Sequence, residues 1–297
     1  MAVSEKIKSG LRRLVYRTVD LLFWLSIVIV AYVCIQVCLL ASFRIPSSSM
    51  EPELMAGDYL LVFKPTVGAR VFNLFASLRG ERVEIHRLPG WRSIRHNDVT
   101  VFHIPYPRGG EKMEMHILKY YVKRCTGLPG DTLEIRDGFV RVRGWDAPLG
   151  NVASQRRVST RDRASFEMAV YHTFPFDSTL AWNIRDFGPL YIPKKGDVLP
   201  MNRTHYLLYR RLIAWEQRAE VTCVDSTVYL NGQPLVSYCF RKNYYFMSGD
   251  YTEDSQDSRY WGLLPEEYIV GKAWIIWKSV DLHTGKWRRE RFLKTIQ

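Results

Sequence analysis

The sequence predicts a mostly-β fold: a single N-terminal transmembrane helix followed by an antiparallel-β domain with a smaller second lobe inserted into it. Three observations predict it. Residues 21–43, LLFWLSIVIVAYVCIQVCLLASF, carry no charged side chain. Beyond them, short β-branched and aromatic runs are punctuated by Gly, Pro and Asn/Asp turns, the pattern of an all-β domain. Residues 144–243 then lose that regularity before it resumes. The expected division is 1–20, a cytoplasmic segment; 21–43, the span; 44–143 with 244–297, the β domain; and 144–243, the inserted lobe.

The span comes first. At about 1.5 Å per residue the uncharged run covers the roughly 30 Å hydrocarbon core. A soluble core helix of that length would carry a polar stripe. A cleaved leader would end on a small-x-small site, whereas this run ends on Phe43-Arg44. Lys6, Lys8, Arg12, Arg13 and Arg17 precede it against Glu5 and Asp20, so the positive-inside rule places the N-terminus in the cytoplasm and Arg44 onward on the outer side. The net charge of +12 over 297 residues calls for anionic partners. With a span present, the bilayer face is the expected one and nucleic acid is not.

The β elements follow. Gly57-Asp58 turns into a strand ending at Lys64. Residues 66–97 are basic, with Arg70, Arg79, Arg82, Arg87, Arg92 and Arg95 against Glu81 and Glu84, and with Val71, Phe72, Leu74, Phe75 and Leu78 interleaved. They read either as a solvated loop over a small satellite core, the expectation taken forward, or as a patch on anionic headgroups. Asn97-Asp98 opens a strand to His103, the charged loop 108–112 follows, and then comes the strand carrying Lys123. Gly127-Leu128-Pro129-Gly130-Asp131 is a turn, and Asp137-Gly138 joins the hairpin strands 132–135 and 139–142. Inside 144–243 the pattern predicts a helix near 202–218, a strand over 220–224 and a hairpin at Asn231-Gly232. A strand resumes over 268–277, and the basic Trp287–Arg291 stretch reads as solvated.

Chemistry concentrates in three segments. Arg44-Ile45-Pro46-Ser47-Ser48-Ser49-Met50-Glu51-Pro52-Glu53-Leu54 places serines just past the span. A serine hydroxyl is unreactive without a base beside it. Tyr120-Tyr121-Val122-Lys123-Arg124-Cys125 offers one, since a lysine among apolar neighbours loses the solvation that keeps it charged. A third segment, Met247 to Gly262, would build the wall behind them. A solvated surface role is the ordinary reading of any single lysine, and these segments do not by themselves overturn it. No Cys or His spacing suggests a metal, and no cofactor is expected. Cys34 and Cys38 fall in the span; Cys125, Cys223 and Cys239 are an odd number for an oxidising compartment, with a Cys223–Cys239 bridge one option.

In order and wording these segments resemble the bacterial type I signal peptidases, membrane-anchored Ser–Lys proteases. Pro46-Ser47-Ser48-Ser49-Met50-Glu51-Pro52-Glu53-Leu54 matches the family's Pro-Ser-x-Ser-Met-x-Pro-x-Leu box, with Glu53 where Thr is usual. The resemblance implies Ser49 as nucleophile and Lys123, in a Tyr-x-Lys-Arg-x-x-Gly-x-Pro-Gly-Asp box, as general base. It implies an oxyanion hole from the Ser49 backbone N–H and the Ser47 hydroxyl, and Ser255 as the group orienting the lysine. Gly249, Asp250, Ser255, Asp257, Ser258 and Arg259 match the third box, while Tyr251-Thr252-Glu253-Asp254 depart from its Asn-Arg-Asp-Asn. Arg124–Asp250 and Asp257–Arg259 are implied structural ion pairs. A substrate would add as a strand along residues 121–123, in small pockets lined by Ile45, Pro46, Met50, Leu54, Tyr121 and Val122, and be cut after an Ala-x-Ala-type site.

The implied function is removal of signal peptides from exported preproteins at the bacterial inner (cytoplasmic) membrane, with the catalytic domain on the periplasmic side. Its implied partners are preproteins, lipids including anionic ones, and the export machinery. The rival readings are a processor dedicated to a few exported proteins, a catalytically silent peptide-binding module, and a DNA-directed Ser–Lys regulator. The last lacks the helix-turn-helix it would need ahead of the serine box.

Overall fold

The structure, a computed structural model, describes residues 2–73, 79, 85–106, 112–115 and 119–297. Part of the 66–97 insertion (Leu74, Phe75, Leu78, Glu81, Arg82 and Glu84) and residues 108–111 of the charged loop lie outside the described residues.

Helix α1 runs Ala2–Cys34 and ends in a π turn, Ile35–Leu39. The helical stretch Leu14–Leu39, of 26 residues with a mean hydropathy that reaches 2.5 over 18 of them, is long and apolar enough to cross a membrane, and those 18 are unburied by the rest of the chain. The helix stops there and does not continue to Phe43 as predicted. Leu40–Arg44 is strand β1, paired antiparallel with β2 (Asp58–Phe63) from Leu40↔Phe63 to Arg44↔Tyr59. Hydropathy sums apolar content and does not distinguish a lipid-facing helix from a sheet strand, so Leu40–Phe43 merged with the run before them. Lys64 seals the junction, its Nζ donating to the carbonyls of Gln36 (2.6 Å) and Val37 (3.1 Å) at the helix end.

Among the described residues, eight antiparallel strands form the main sheet. Its order is β1, β2, β17 (Ile269–Ser279), β5 (Val99–His103), β6 (Tyr120–Gly127), β15 (Tyr244–Ser248) and β16 (Leu264–Pro265), with β18 (Lys294–Thr295) also on β17. The chain leaves this sheet at Gly127 and returns at Tyr244. In between, β7 (Thr132–Arg136) pairs with β8 (Phe139–Val142) and β9 (Phe187–Tyr191) in a second sheet. The 132–142 hairpin, predicted to belong with the first domain, is thus hydrogen-bonded inside the excursion. The hairpin itself forms as read, with Asp137 and Gly138 both at positive φ. So does the one at Asn231-Gly232, between β12 (Thr227–Leu230) and β13 (Gln233–Pro234).

Two helices of the excursion matter below. Helix α2 (Val152–Thr160) is capped by Asn151, whose side chain accepts from the Ser154 N–H. Helix α3 (Arg203–Gln217) is capped likewise by Asn202 and ends with Arg218 in the left-handed region. One hydrophobic core joins Phe102, Cys125 and Phe246 of the main sheet to Leu133, Leu190, Tyr209 and Leu212 of the excursion.

The basic segments do structural work. Arg87 donates to the carbonyls of Val67, Gly68, Glu266 and Ile269, and Arg70 to those of Glu267 and Tyr268. Arg92 pairs with Asp98. These three arginines are turned inward, so neither the solvated loop nor the lipid patch describes them. The Trp287–Arg291 stretch is solvated at Trp287, Arg289 and Glu290, which are exposed, but not at its end: buried Arg291 forks onto fully buried Asp58 at 2.6 and 3.0 Å and donates to the Glu53 carbonyl. All five cysteines are free, so the Cys223–Cys239 bridge is absent.

Removing one member of a buried pair leaves the other charge uncompensated, a loss of about 3–5 kcal/mol. Arg291→Met is therefore expected to lower unfolding stability by roughly 3 kcal/mol in urea titration.

Candidate active site

The serine segment is a loop held at both ends. At its start the β1–β2 pairing carries on: Ile45 N–H donates to the Asp58 carbonyl and Gly57 N–H to that of Ile45, each at 2.8 Å. Gly57 sits at φ +95°, and a Cβ there would fall 1.9 Å from the Val280 carbonyl oxygen, so only glycine fits. Ile45, Met50 and Leu54 sink into a core with Leu60, Val99, Ala273, Ile276 and Ile296. Anchored on either side, the three serines stay at the surface, with Ser47 exposed and Ser48 and Ser49 half-buried. This corrects the predicted pocket lining. Met50 (1% exposed) and Leu54 (0%) belong to the core together with Ile45, while Pro46, Tyr121 and Val122 keep exposed surface.

Lys123 arrives from β6, between β5 and β15, its Cα partner being Thr100. It is 4% exposed, and its Nζ lies 2.5 Å from Ser49 Oγ. As an ammonium the lysine donates in that contact; as an amine it accepts from the hydroxyl. Burial pushes the lysine down to about 8, with Arg259 acting the same way and Asp257, Asp250 and Asp254 opposing. Ser47 Oγ stands 3.4 Å from Ser49 Oγ.

The third segment is built on Asp257. Fully buried, it caps the short helix α4 (Ser258–Trp261) by accepting from Arg259 N–H and accepts from Gly249 N–H at 2.8 Å. It also takes the Arg259 guanidinium at 2.7 and 2.8 Å. Burial alone would raise its carboxyl, but Arg259 and these hydrogen bonds hold it low. Arg124 forks onto Asp250 at 2.6 and 2.7 Å, and its remaining nitrogen reaches the carbonyls of Asn97 and Gln297. Both predicted ion pairs are therefore made. Ser255 differs from expectation, because its buried Oγ has no hydrogen-bond partner and the bond to Lys123 is not formed.

Sequence reasoning missed the contact between Ser48 Oγ and Asp254 Oδ2 at 3.1 Å. It also missed the ties from Glu253 to Arg157 (3.0 Å) and Arg161 (3.6 Å) of the excursion. No local signal announces these, since the partners lie far apart in the chain.

A serine hydroxyl against a desolvated lysine amine is an arrangement that can supply a nucleophile and a base. Residues 18–278 match the family model described as signal peptidase, peptidase S26. The chain belongs to that family. Signal peptidase I of Buchnera aphidicola from Acyrthosiphon pisum is 27% identical over 254 residues, covering 82% of this chain and 70% of that protein. The Haemophilus influenzae signal peptidase I is 29% identical over 272 residues, covering 86% and 69%. That of Aquifex aeolicus is 24% identical over 258 residues, covering 86% and 82%. A crystal structure of a signal peptidase I from Enterococcus faecalis aligns with 61% of this chain and 97% of its own at 19% identity, with a TM-score of 0.30. The protein is a serine peptidase of the signal peptidase I type, and removal of signal peptides is the activity that comes with the family.

The lysine's environment is directly measurable. With Cε-labelled lysine, one resonance is expected to titrate near pH 8, against about 10.4 for solvated lysines, and to vanish in Lys123→Met.

Proposed function

We propose that this protein hydrolyses signal peptides by a Ser49–Lys123 dyad while held in a bacterial inner membrane by α1, its N-terminus cytoplasmic and its β domain on the periplasmic side. The observation that carries the reading is the 2.5 Å contact between Lys123 Nζ and Ser49 Oγ at a lysine that burial brings to about 8. Neutral Lys123 takes the hydroxyl proton as Ser49 attacks the scissile carbonyl. The ammonium returns it to the leaving amine, and water then cleaves the acyl-enzyme with the same lysine as base. The Ser49 N–H and the Ser47 hydroxyl serve the oxyanion. Ser255, whose oxygen has no other partner, is assigned to receive the ammonium once the lysine is protonated.

Substrate binding follows from the sheet. Residues 120–123 pair with β5 along one edge, while β15 joins the other edge only from Arg124 onward. The uncovered edge suits an extended peptide added as a strand, with Pro46, Tyr121 and Val122 beside it. Narrow pockets against such an edge favour small residues of the Ala-x-Ala type. Lipids, anionic ones included, and the export machinery are the proposed partners of the anchored enzyme.

The test is cleavage of a secreted preprotein by the full chain in detergent. Ser49→Ala and Lys123→Ala are each expected to abolish cutting, and Ser47→Ala to lower kcat by about 10²-fold. Activity surviving in Ser49→Ala would sink the assignment. Because the base must be neutral, kcat/KM is expected to rise about tenfold per pH unit below about 8 and level off above it.

A further inference from the structure

The four residues at which the third segment departs from its family box, Tyr251 to Asp254, are the ones that touch both the serine loop and the excursion. On the serine side, Asp254 Oδ2 accepts from Ser48 Oγ at 3.1 Å, and Tyr251 N–H donates to the Ser49 carbonyl at 3.1 Å. One contact fastens the residue before Ser49, the other the peptide after it. Gly249 lets the segment come this close, since a Cβ there would stand 2.7 Å from the Ser49 carbonyl oxygen and 2.0 Å from Ser255 Oγ. On the far side the segment is fixed to α2. Thr252 N–H donates to Ser154 Oγ at 2.8 Å, Arg157 and Arg161 hold Glu253, and the Arg157 guanidinium lies 5.6 Å from the centre of the Tyr251 ring.

We propose that residues 251–254 form a positioning clamp through which helix α2 holds Ser49 in register with Lys123, Asp254 being its contact with the serine loop. The proposal rests on the dyad reading. Its physical content is the directional demand of a proton transfer: Ser49 Oγ must face Lys123 Nζ, and the serine rotamer is set by its flanking peptides. A single exposed hydrogen bond such as Ser48–Asp254 is weak when its acceptor can wander. Here the acceptor's loop is tied to a capped helix at three residues, so the bond is made without further loss of freedom. What Asp254 contributes is an acceptor oxygen in a fixed place, which an amide supplies as well as a carboxylate.

The experiment measures kcat and KM on a small-x-small peptide with the full chain in detergent, with Ser49→Ala and Lys123→Ala as controls. Asp254→Ala and Ser48→Ala are each expected to lower kcat about tenfold while KM stays within about twofold. The double variant should be no worse than either single one, and Asp254→Asn should restore kcat. Arg157→Ala, which does not touch the serine loop, should reproduce the kcat loss from the far side, and thermal unfolding of each variant separates this from misfolding. Wild-type kcat in Asp254→Ala with Ser49→Ala inactive overturns the clamp and leaves the dyad standing. Additive losses, a loss confined to KM, or Asp254→Asn as poor as Asp254→Ala overturns the clamp too. Activity in Ser49→Ala removes the dyad and the clamp together.

Discussion

The desolvation of Lys123 is the constraint on which the rest of the site depends. An ammonium cannot accept a proton, and in water a lysine is an ammonium at neutral pH. Bringing it to about 8 requires walls on every side that offer it little solvation, and they come from distant parts of the chain. Strand β5 flanks it, strand β15 pairs with β6 from the next residue onward, and the Met50–Leu54 turn packs in the same core as its neighbour Val122. Carboxylates nearby would undo the effect if left uncompensated. Asp257 and Asp250 are each forked by an arginine, Arg259 and Arg124, so much of their pull on the lysine is cancelled where it arises.

That bookkeeping of charge explains the use of arginine throughout. The chain's excess of basic residues reads, in composition, as an invitation to anionic surfaces. Arg70, Arg87, Arg124 and Arg291 instead cross-link the fold, each spreading several donors over carbonyls or a carboxylate that no strand partner reaches. A planar fork with five donors suits this role better than the single ammonium of lysine. Arg291 shows the economy of it, joining Asp58 at the mouth of β2 to the carbonyl of Glu53 in the serine loop.

Much of this was legible because it is local. The strand runs, the Asp137-Gly138 and Asn231-Gly232 hairpins and the 203–217 helix are short-range consequences of side-chain period and turn chemistry, and they appear where the pattern put them. The three chemical segments were legible for another reason, since residue type and order carry them. The misreadings share one cause. Leu40–Phe43 are apolar in a strand as they would be in a lipid-facing helix, and Met50 and Leu54 are apolar in a core as they would be in a pocket. Composition does not say which surface an apolar side chain meets.

The sequence by itself determined the family of this protein: three segments of the right residue types, in the right order, behind an uncharged run long enough to span a bilayer. Only the tertiary structure decided that Lys123 is buried and within reach of Ser49, that Ser255 stands unpartnered, and that the departure at Tyr251–Asp254 is gripped by α2 on one side and by the serine loop on the other. The physical reason is distance along the chain. Desolvation, ion pairing and hydrogen bonding between residues a hundred positions apart depend on how the sheets close on one another, and no local pattern of residues encodes that.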